Sequence, residues 1–264
     1  MRQIYPEEAR LDDAGLAARY ACPGPGAGVP WVRANMVASL DGAATLLGRS
    51  GGLSGEADRQ VFAMLRAITD VILVGAGTVR AERYAPVRPE SEGLRWAWLR
   101  DGRTPSPPIA VITRGLDLDL DSPLLTDAPG HATTIVITTE SAPAARRAAA
   151  ARTADVIVAG EASVDIPAVI AALAQRGHRC ILAEGGPQLL GQIADAGQLD
   201  ELCLTVSPLL AGPGAGRIVQ GMPLPGGTSA QPFALGHVLV DEGYLFCRYL
   251  RSSRPGAGVS RESP

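Results

Sequence analysis

The sequence predicts an α/β protein: a mixed, mostly parallel central sheet with helices on both faces and an antiparallel hairpin at its C-terminal edge. Three observations carry this. Short apolar runs of buried-strand type recur at Asp70–Val74, Ile109–Thr113, Thr133–Thr138, Asp155–Val158 and Cys180–Ala183. Helical segments alternate with them, which is the pattern of a parallel sheet covered on both faces. Leu235–Asp241 and Tyr244–Leu250 flank Glu242-Gly243, a turn that joins neighbouring strands.

In chain order, residues 1–30 read as an N-terminal extension, with a short amphipathic helix within 1–19 and a breaker-rich linker from Cys22 to Pro30. Residues 31–251 form the main domain, and 252–264 read as a disordered tail. Trp31–Ser39 alternates as a strand and stops at Leu40-Asp41-Gly42. Arg49–Gly55 is a glycine-rich loop. The next helix takes Ser54 as its N-cap, holds Glu56 and Asp58 in its first turn, and repeats Val61, Leu65 and Ile68 on one face. Residues 84–108 are irregular and proline-rich. Pro143–Arg152 and Ile166–Gln175 are helical. Pro187 opens a further helix with Leu189, Leu190 and Ile193 on one side, and Leu202–Ser207 is a strand.

Composition narrows the chemistry. The chain has 264 residues, 46% of them apolar, and balances 24 basic against 27 acidic groups for a net charge of −3. No basic stripe asks for nucleic acid and no polybasic run asks for a membrane surface. No apolar run is long enough to span a bilayer. The acidic first 20 residues do not read as a secretory signal, so a cytoplasmic location is expected. Cys22, Cys180, Cys203 and Cys247 lack zinc or redox spacing, and a chain of this size is not expected to need disulfides. His131, His178 and His237 lie far apart, so no metal site is expected. All the basic side chains are arginine; there is no lysine for Schiff-base or P-loop chemistry. What remains is carboxylates, hydroxyls, arginine, backbone amides and a borrowed cofactor.

The glycines point to where that cofactor binds. In open α/β sheets ligands sit where strands end and helices begin. Glu184-Gly185-Gly186-Pro187 joins a buried strand to a helix start, as an ordinary tight turn or as an anion site built on exposed amides. Gly75-Ala76-Gly77-Thr78 has the same form; Thr78 is either a helix N-cap or a ligand contact. Arg114, after Thr113 at a third strand end, stands where an NAD site would place a carboxylate, and a guanidinium there suits the 2′-phosphate of NADP. Helical periodicity aligns Asp58 with Phe62 and Leu65, so its carboxylate aims toward the sheet's end or else only stabilises the helix dipole. Arg59 and Arg66 fall on another face and read, by themselves, as solvated. Glu184 ends a buried strand beside two glycines, a position for a reactive or a structural carboxylate.

Taken in order, Asn35-Met-Val-Ala-Ser-Leu-Asp-Gly42, Ser50-Gly-Gly-Leu-Ser-Gly-Glu-Ala-Asp-Arg59, Leu65-Arg-Ala67, Val74-Gly-Ala-Gly-Thr-Val79 and Glu184-Gly-Gly-Pro-Gln-Leu-Leu190 resemble the riboflavin-pathway pyrimidine reductases. These form the C-terminal half of the bifunctional deaminase-reductase. The resemblance implies a three-layer, dihydrofolate-reductase-like fold and reduction of 5-amino-6-(5-phosphoribosylamino)uracil by NADPH, with hydride delivered to ribosyl C1′. It places Ser39, Ser54, Thr78, Glu82, Thr113 and the loop Gly186, Pro187, Gln188, Leu189, Leu190 and Gly191 against NADPH; the glycine reading adds Gly75, Gly77, Arg114 and Gly185. It turns Asp58, Arg66 and Glu184 to the substrate, with Arg66 on its phosphate; as a mechanistic hypothesis, Asp58 or Glu184 supplies or relays the proton. It also implies a homodimer. The sequence departs from the family in lacking the zinc deaminase motifs and in placing Gly51-Gly52 where some relatives carry bulkier residues. Two other readings are a reductase of dihydrofolate or a related pterin or flavin-like ring, and a non-enzymatic nucleotide-binding module; NADPH oxidation with each substrate separates them.

Overall fold

The computed structural model describes residues 1–22, 29–88, 102–221 and 230–252. Its strands are β1 (Arg2–Tyr5), β2 (Ala9–Arg10), β3 (Trp31–Ala38), β4 (Val71–Gly75), β5 (Ile109–Ile112), β6 (Ile135–Thr138), β7 (Asp155–Val158), β8 (Cys180–Ala183), β9 (Glu201–Val206), β10 (Phe233–Asp241) and β11 (Tyr244–Arg251). They form one 11-stranded sheet in the order β2-β1-β10-β11-β9-β3-β8-β4-β5-β6-β7. From β9 through β7 all neighbours run parallel. Beyond β9 the pairs β9–β11, β11–β10, β10–β1 and β1–β2 are antiparallel. The mixed, mostly parallel α/β sheet read from the sequence is thus present, with its antiparallel block at one edge.

The helices are α1 (Asp13–Arg19), α2 (Glu56–Ala67), α3 (Ala76–Glu82), α4 (Pro123–Thr126), α5 (Ala144–Ala150), α6 (Ile166–Gln175) and α7 (Pro187–Asp195). Because strand side chains alternate, the sheet carries two cores. Leu16, Val61, Leu65 and Val79 of α1–α3 pack with Val74, Val111, Leu182 and Phe246 on one face. Val169, Ile170 and Leu173 of α6 and Leu189, Leu190 and Ile193 of α7 pack with Val32, Leu73, Ile137 and Ile181 on the other. Among the described residues, no helix is long and apolar enough to cross a membrane.

Four local expectations are corrected. The helix expected within residues 1–19 is confined to α1, capped by Asp12, whose carboxylate accepts from the Gly15 amide at 2.8 Å. The residues before it form β1 and β2, and β1 pairs with β10 (Gln3 opposite Leu239), satisfying a sheet edge that would otherwise stand open. Ser54 is not the N-cap of α2. Gly55 holds that place, and the Ser54 hydroxyl turns to Asp58 instead. Likewise Gly75, not Thr78, caps α3. Finally, Cys22 and Cys180 are joined by a disulfide, with Cα atoms 6.4 Å apart across 158 residues of sequence. Residues 23–28 of the expected linker, 89–101 of the irregular 84–108 stretch, and 253–264 of the expected tail lie outside the described residues.

Under α1 the sheet buries an ionic cluster. Arg33 donates to both oxygens of Glu201 (2.7 and 3.0 Å) and to the Tyr20 carbonyl (2.6 Å). Arg248 donates to the same two oxygens (2.8 and 3.0 Å), and the Trp31 indole adds a further bond at 2.8 Å. Arg33 and Glu201 are at most 1% exposed. Burial alone would raise the Glu201 carboxyl, but the two guanidinium groups outweigh it and hold the group at about 2.

Candidate active site

The parallel strands β3, β8, β4 and β5 end along one side of the sheet, and there a cleft of about 1340 Å³ opens. Pockets for one drug-sized ligand span about 300–1,000 Å³, so this cleft exceeds the usual single-ligand size.

Its floor is the meeting of the two glycine loops. The Gly75 amide donates to the Gly185 carbonyl at 2.9 Å, and the Glu184 amide donates to the Leu73 carbonyl at 3.0 Å. Gly185 has φ +88°, the left-handed region that glycine occupies without strain. A Cβ on Gly186 would come 2.7 Å from Thr78 Oγ1, so a side chain here would displace that hydroxyl. Gly186 also caps α7, which has no side-chain cap. The amides of the first turn of α7, at Gln188 and Leu189, therefore open onto the cleft that these residues line.

One wall is polar. Asp58 is buried, 6% exposed, and lines the cleft; its Oδ2 accepts from Ser54 Oγ at 2.5 Å. Two turns along α2, Arg66 donates from Nε and Nη2 to the two oxygens of Glu184, both at 2.7 Å. Tyr84 donates its hydroxyl to Glu184 Oε2 at 2.7 Å. The Arg66 guanidinium lies 4.2 Å from the Phe62 ring centroid and 5.6 Å from that of Tyr84. Burial and the neighbouring Glu184 carboxylate push the Tyr84 phenol well above its usual value, so it remains a donor.

The structure gathers Ser54, Asp58, Arg66, Gly75, Gly77, Thr78, Glu82, Thr113, Arg114, Glu184, Gly186, Pro187, Gln188 and Leu189 around one cleft. Arg66 is not solvated as its helical face suggested, because its long side chain reaches back to Glu184. Glu82 uses one oxygen to hold the Ser50 amide (2.9 Å) and hydroxyl (3.0 Å), anchoring the loop beside Gly51. Four expected contacts do not reach the cleft wall. The Ser39 hydroxyl is spent on Asp41 Oδ1 (2.5 Å) and the Ala43 amide (2.9 Å). Gly185 and Leu190 are buried, and Gly191 packs so tightly on residue 220 that a Cβ would lie 2.2 Å from the Gln220 carbonyl oxygen.

Two cleft residues were not singled out by sequence. Asn35 lines the cleft from β3, and its buried Oδ1 has no hydrogen-bond partner among the described residues. A polar side chain inside the alternating run Trp31–Ala38 is the signal that would have found it. Tyr84 lies in the stretch without periodicity, and nothing in its neighbours marks it. Among the described residues no group of three or more His, Cys, Asp and Glu could hold a metal ion.

Known proteins are similar in sequence and fold. The RibD C-terminal domain family matches residues 30–237. The 2,5-diamino-6-ribosylamino-4(3H)-pyrimidinone 5′-phosphate reductase of Archaeoglobus fulgidus is 31% identical over 184 residues, covering 69% of this chain and 82% of that protein. The riboflavin biosynthesis protein RibD of Bacillus amyloliquefaciens is 31% identical, covering 70% of this chain and 47% of that longer protein. A crystal structure of a pyrimidine reductase-like protein from Corynebacterium diphtheriae superposes with a TM-score of 0.74 at 28% identity, covering 85% of this chain and 92% of the other. With the match spanning both loops and the polar wall, the chain belongs to the RibD C-terminal domain family, the riboflavin-biosynthesis reductases.

Proposed function

We propose that this chain is an NADPH-dependent reductase of a phosphorylated ribosylaminopyrimidine, delivering hydride to ribosyl C1′. The observation that carries this reading is the contact between the two glycine loops. It places the α7 amides and the Asp58–Arg66–Glu184 wall on one cleft that exceeds the usual single-ligand size.

The coenzyme supplies the hydride when bound. The chain's own residues bind, orient and protonate. The first-turn amides of α7 face the pyrophosphate. Asn35, in the middle of β3, lines the same cleft. When C1′ gains hydride, the bond from C1′ to the ring oxygen O4′ breaks, and O4′ takes a proton. Of the two carboxyl candidates, Glu184 already accepts three bonds, two from Arg66 and one from Tyr84. Asp58, held by Ser54, is the group we assign to deliver the proton to O4′. The exposed Arg114 lines the cleft beside Thr113 and Gly115, where it would hold the 2′-phosphate. The homodimer implied by the family resemblance belongs to the same proposal.

The stand-alone relatives are named for a ring with a 2-amino group, whereas the sequence resemblance pointed to the uracil, which has a 2-oxo group. Both substrates belong in the test. The purified protein with NADPH should bleach nicotinamide absorbance only when one of these pyrimidine phosphates is present, and the product should gain two hydrogens. Bleaching with dihydrofolate and with neither pyrimidine would overturn the assignment. Arg114→Ala is expected to weaken NADPH by about tenfold or more while leaving NADH unchanged, since a charge-assisted bond is worth about 1.5–3 kcal/mol. Equal weakening of both coenzymes would remove Arg114 from the 2′-phosphate.

A further inference from the structure

We infer that Tyr84 is a positioning residue that fixes Glu184 against the pyrimidine substrate, so that Glu184 serves as a fixed hydrogen-bond acceptor and counter-charge and not as the proton source. The inference rests on the reductase reading above and deepens it. Three observations carry it. The Tyr84 hydroxyl and the Arg66 fork take three acceptor positions on one carboxylate, all at 2.7 Å. A carboxylate has roughly four such positions, so about one is left on a residue that lines the cleft. The Glu184 side chain is 1% exposed, and Arg66 is packed against the rings of Phe62 and Tyr84, so neither partner has room to swing. The backbone is shaped to bring Tyr84 there. α3 ends at Arg83 with φ +55°, a left-handed residue that reverses the chain, and the Tyr84 amide then bonds to the Val79 carbonyl at 3.1 Å. That turn carries the phenol 100 residues along the sequence to the tip of β8.

A phenol that donates to one oxygen restricts the carboxylate to one rotamer and leaves the remaining acceptor in place for a ring N–H or a ribityl hydroxyl of the substrate. Tyr84→Phe keeps the ring on Arg66 and removes only that bond. The substrate KM is expected to rise about tenfold, the value of one hydrogen bond to a charged group, with kcat and the NADPH dissociation constant each within about twofold. If Tyr84 acts through Glu184, the effect disappears in a Glu184→Gln background, where Tyr84→Phe changes pyrimidine-phosphate binding by less than about twofold. A tyrosine that merely packs would instead lower the melting temperature and shift coenzyme and substrate affinity together. An unchanged KM in Tyr84→Phe, or a full tenfold effect persisting in the Glu184→Gln background, overturns the inference. Absence of pyrimidine turnover in the wild-type protein would defeat the reductase reading itself. The same single and double variants compared by thermal unfolding would then still decide the contact: non-additive losses uphold it and additive losses refute it.

Discussion

Asp58→Asn is expected to lower kcat by about 10²–10⁴-fold, the usual contribution of a positioned proton donor, while the NADPH dissociation constant stays within about twofold. The asymmetry follows from geometry. Asp58 sits in the first turn of α2, on the polar wall, whereas the amides proposed for the pyrophosphate belong to α7. The asparagine amide keeps the shape and cannot deliver a proton to O4′. Single-turnover kinetics with saturating coenzyme read the chemical step directly. Glu184→Gln should behave differently, raising KM more than it lowers kcat, because Glu184 is already committed to Arg66 and Tyr84. Wild-type turnover in Asp58→Asn, or the larger loss of kcat in Glu184→Gln, would transfer the proton to Glu184.

The second large effect concerns stability. Glu201→Leu is expected to cost about 3–5 kcal/mol, because it leaves Arg33 and Arg248 facing each other without their shared counter-ion. Urea unfolding should show a lower midpoint at an unchanged slope. A loss under about 1 kcal/mol would mean that water reaches the guanidinium groups. The wild-type protein carries the same cluster's mark in its acid response. The carboxyl of Glu201 lies at about 2 when folded and at 4.5 otherwise. A folded-state value below the unfolded one stabilises the fold at higher pH. The contribution, about 3 kcal/mol, is therefore complete above roughly pH 4.5 and is lost as pH falls toward 2. Glu201→Leu should lose less stability than the wild type across that interval.

The parts of this fold that follow local rules were legible in the sequence. β4, β5, β6 and β8 are short apolar runs whose residues are buried throughout or nearly so, as strands covered on both faces must be. Asp58 was legible because helical periodicity alone aligns it with Phe62 and Leu65. The two glycine loops were legible as loops, and their contact follows from β4 and β8 being neighbours. What could not be read depended on reach or on distant partners. Arg66 sits off the apolar face, and its pairing with Glu184 spans 118 residues. β1 is four residues long, too short for a period, and exists because β10 offers an edge. Ser39 matched a family pattern, whereas the bond from its hydroxyl to Asp41 two residues away is a local contact that a motif does not disclose.

The central claim is that main-chain nitrogens at the start of α7, beside the contact between the two glycine loops, hold a phosphorylated nicotinamide coenzyme. Equilibrium titration with NADPH, followed by quenching of the protein's tryptophan fluorescence, tests it most directly. Coenzyme-using enzymes work with micromolar to millimolar affinities, so the account predicts saturable quenching below about 1 mM. It also predicts that Gly186→Val, which forces side-chain atoms into the space held by Thr78 Oγ1, abolishes that saturation while the protein stays folded. A wild-type protein that shows no saturation up to about 1 mM, or a Gly186→Val variant that is folded and still binds with native affinity, would contradict it.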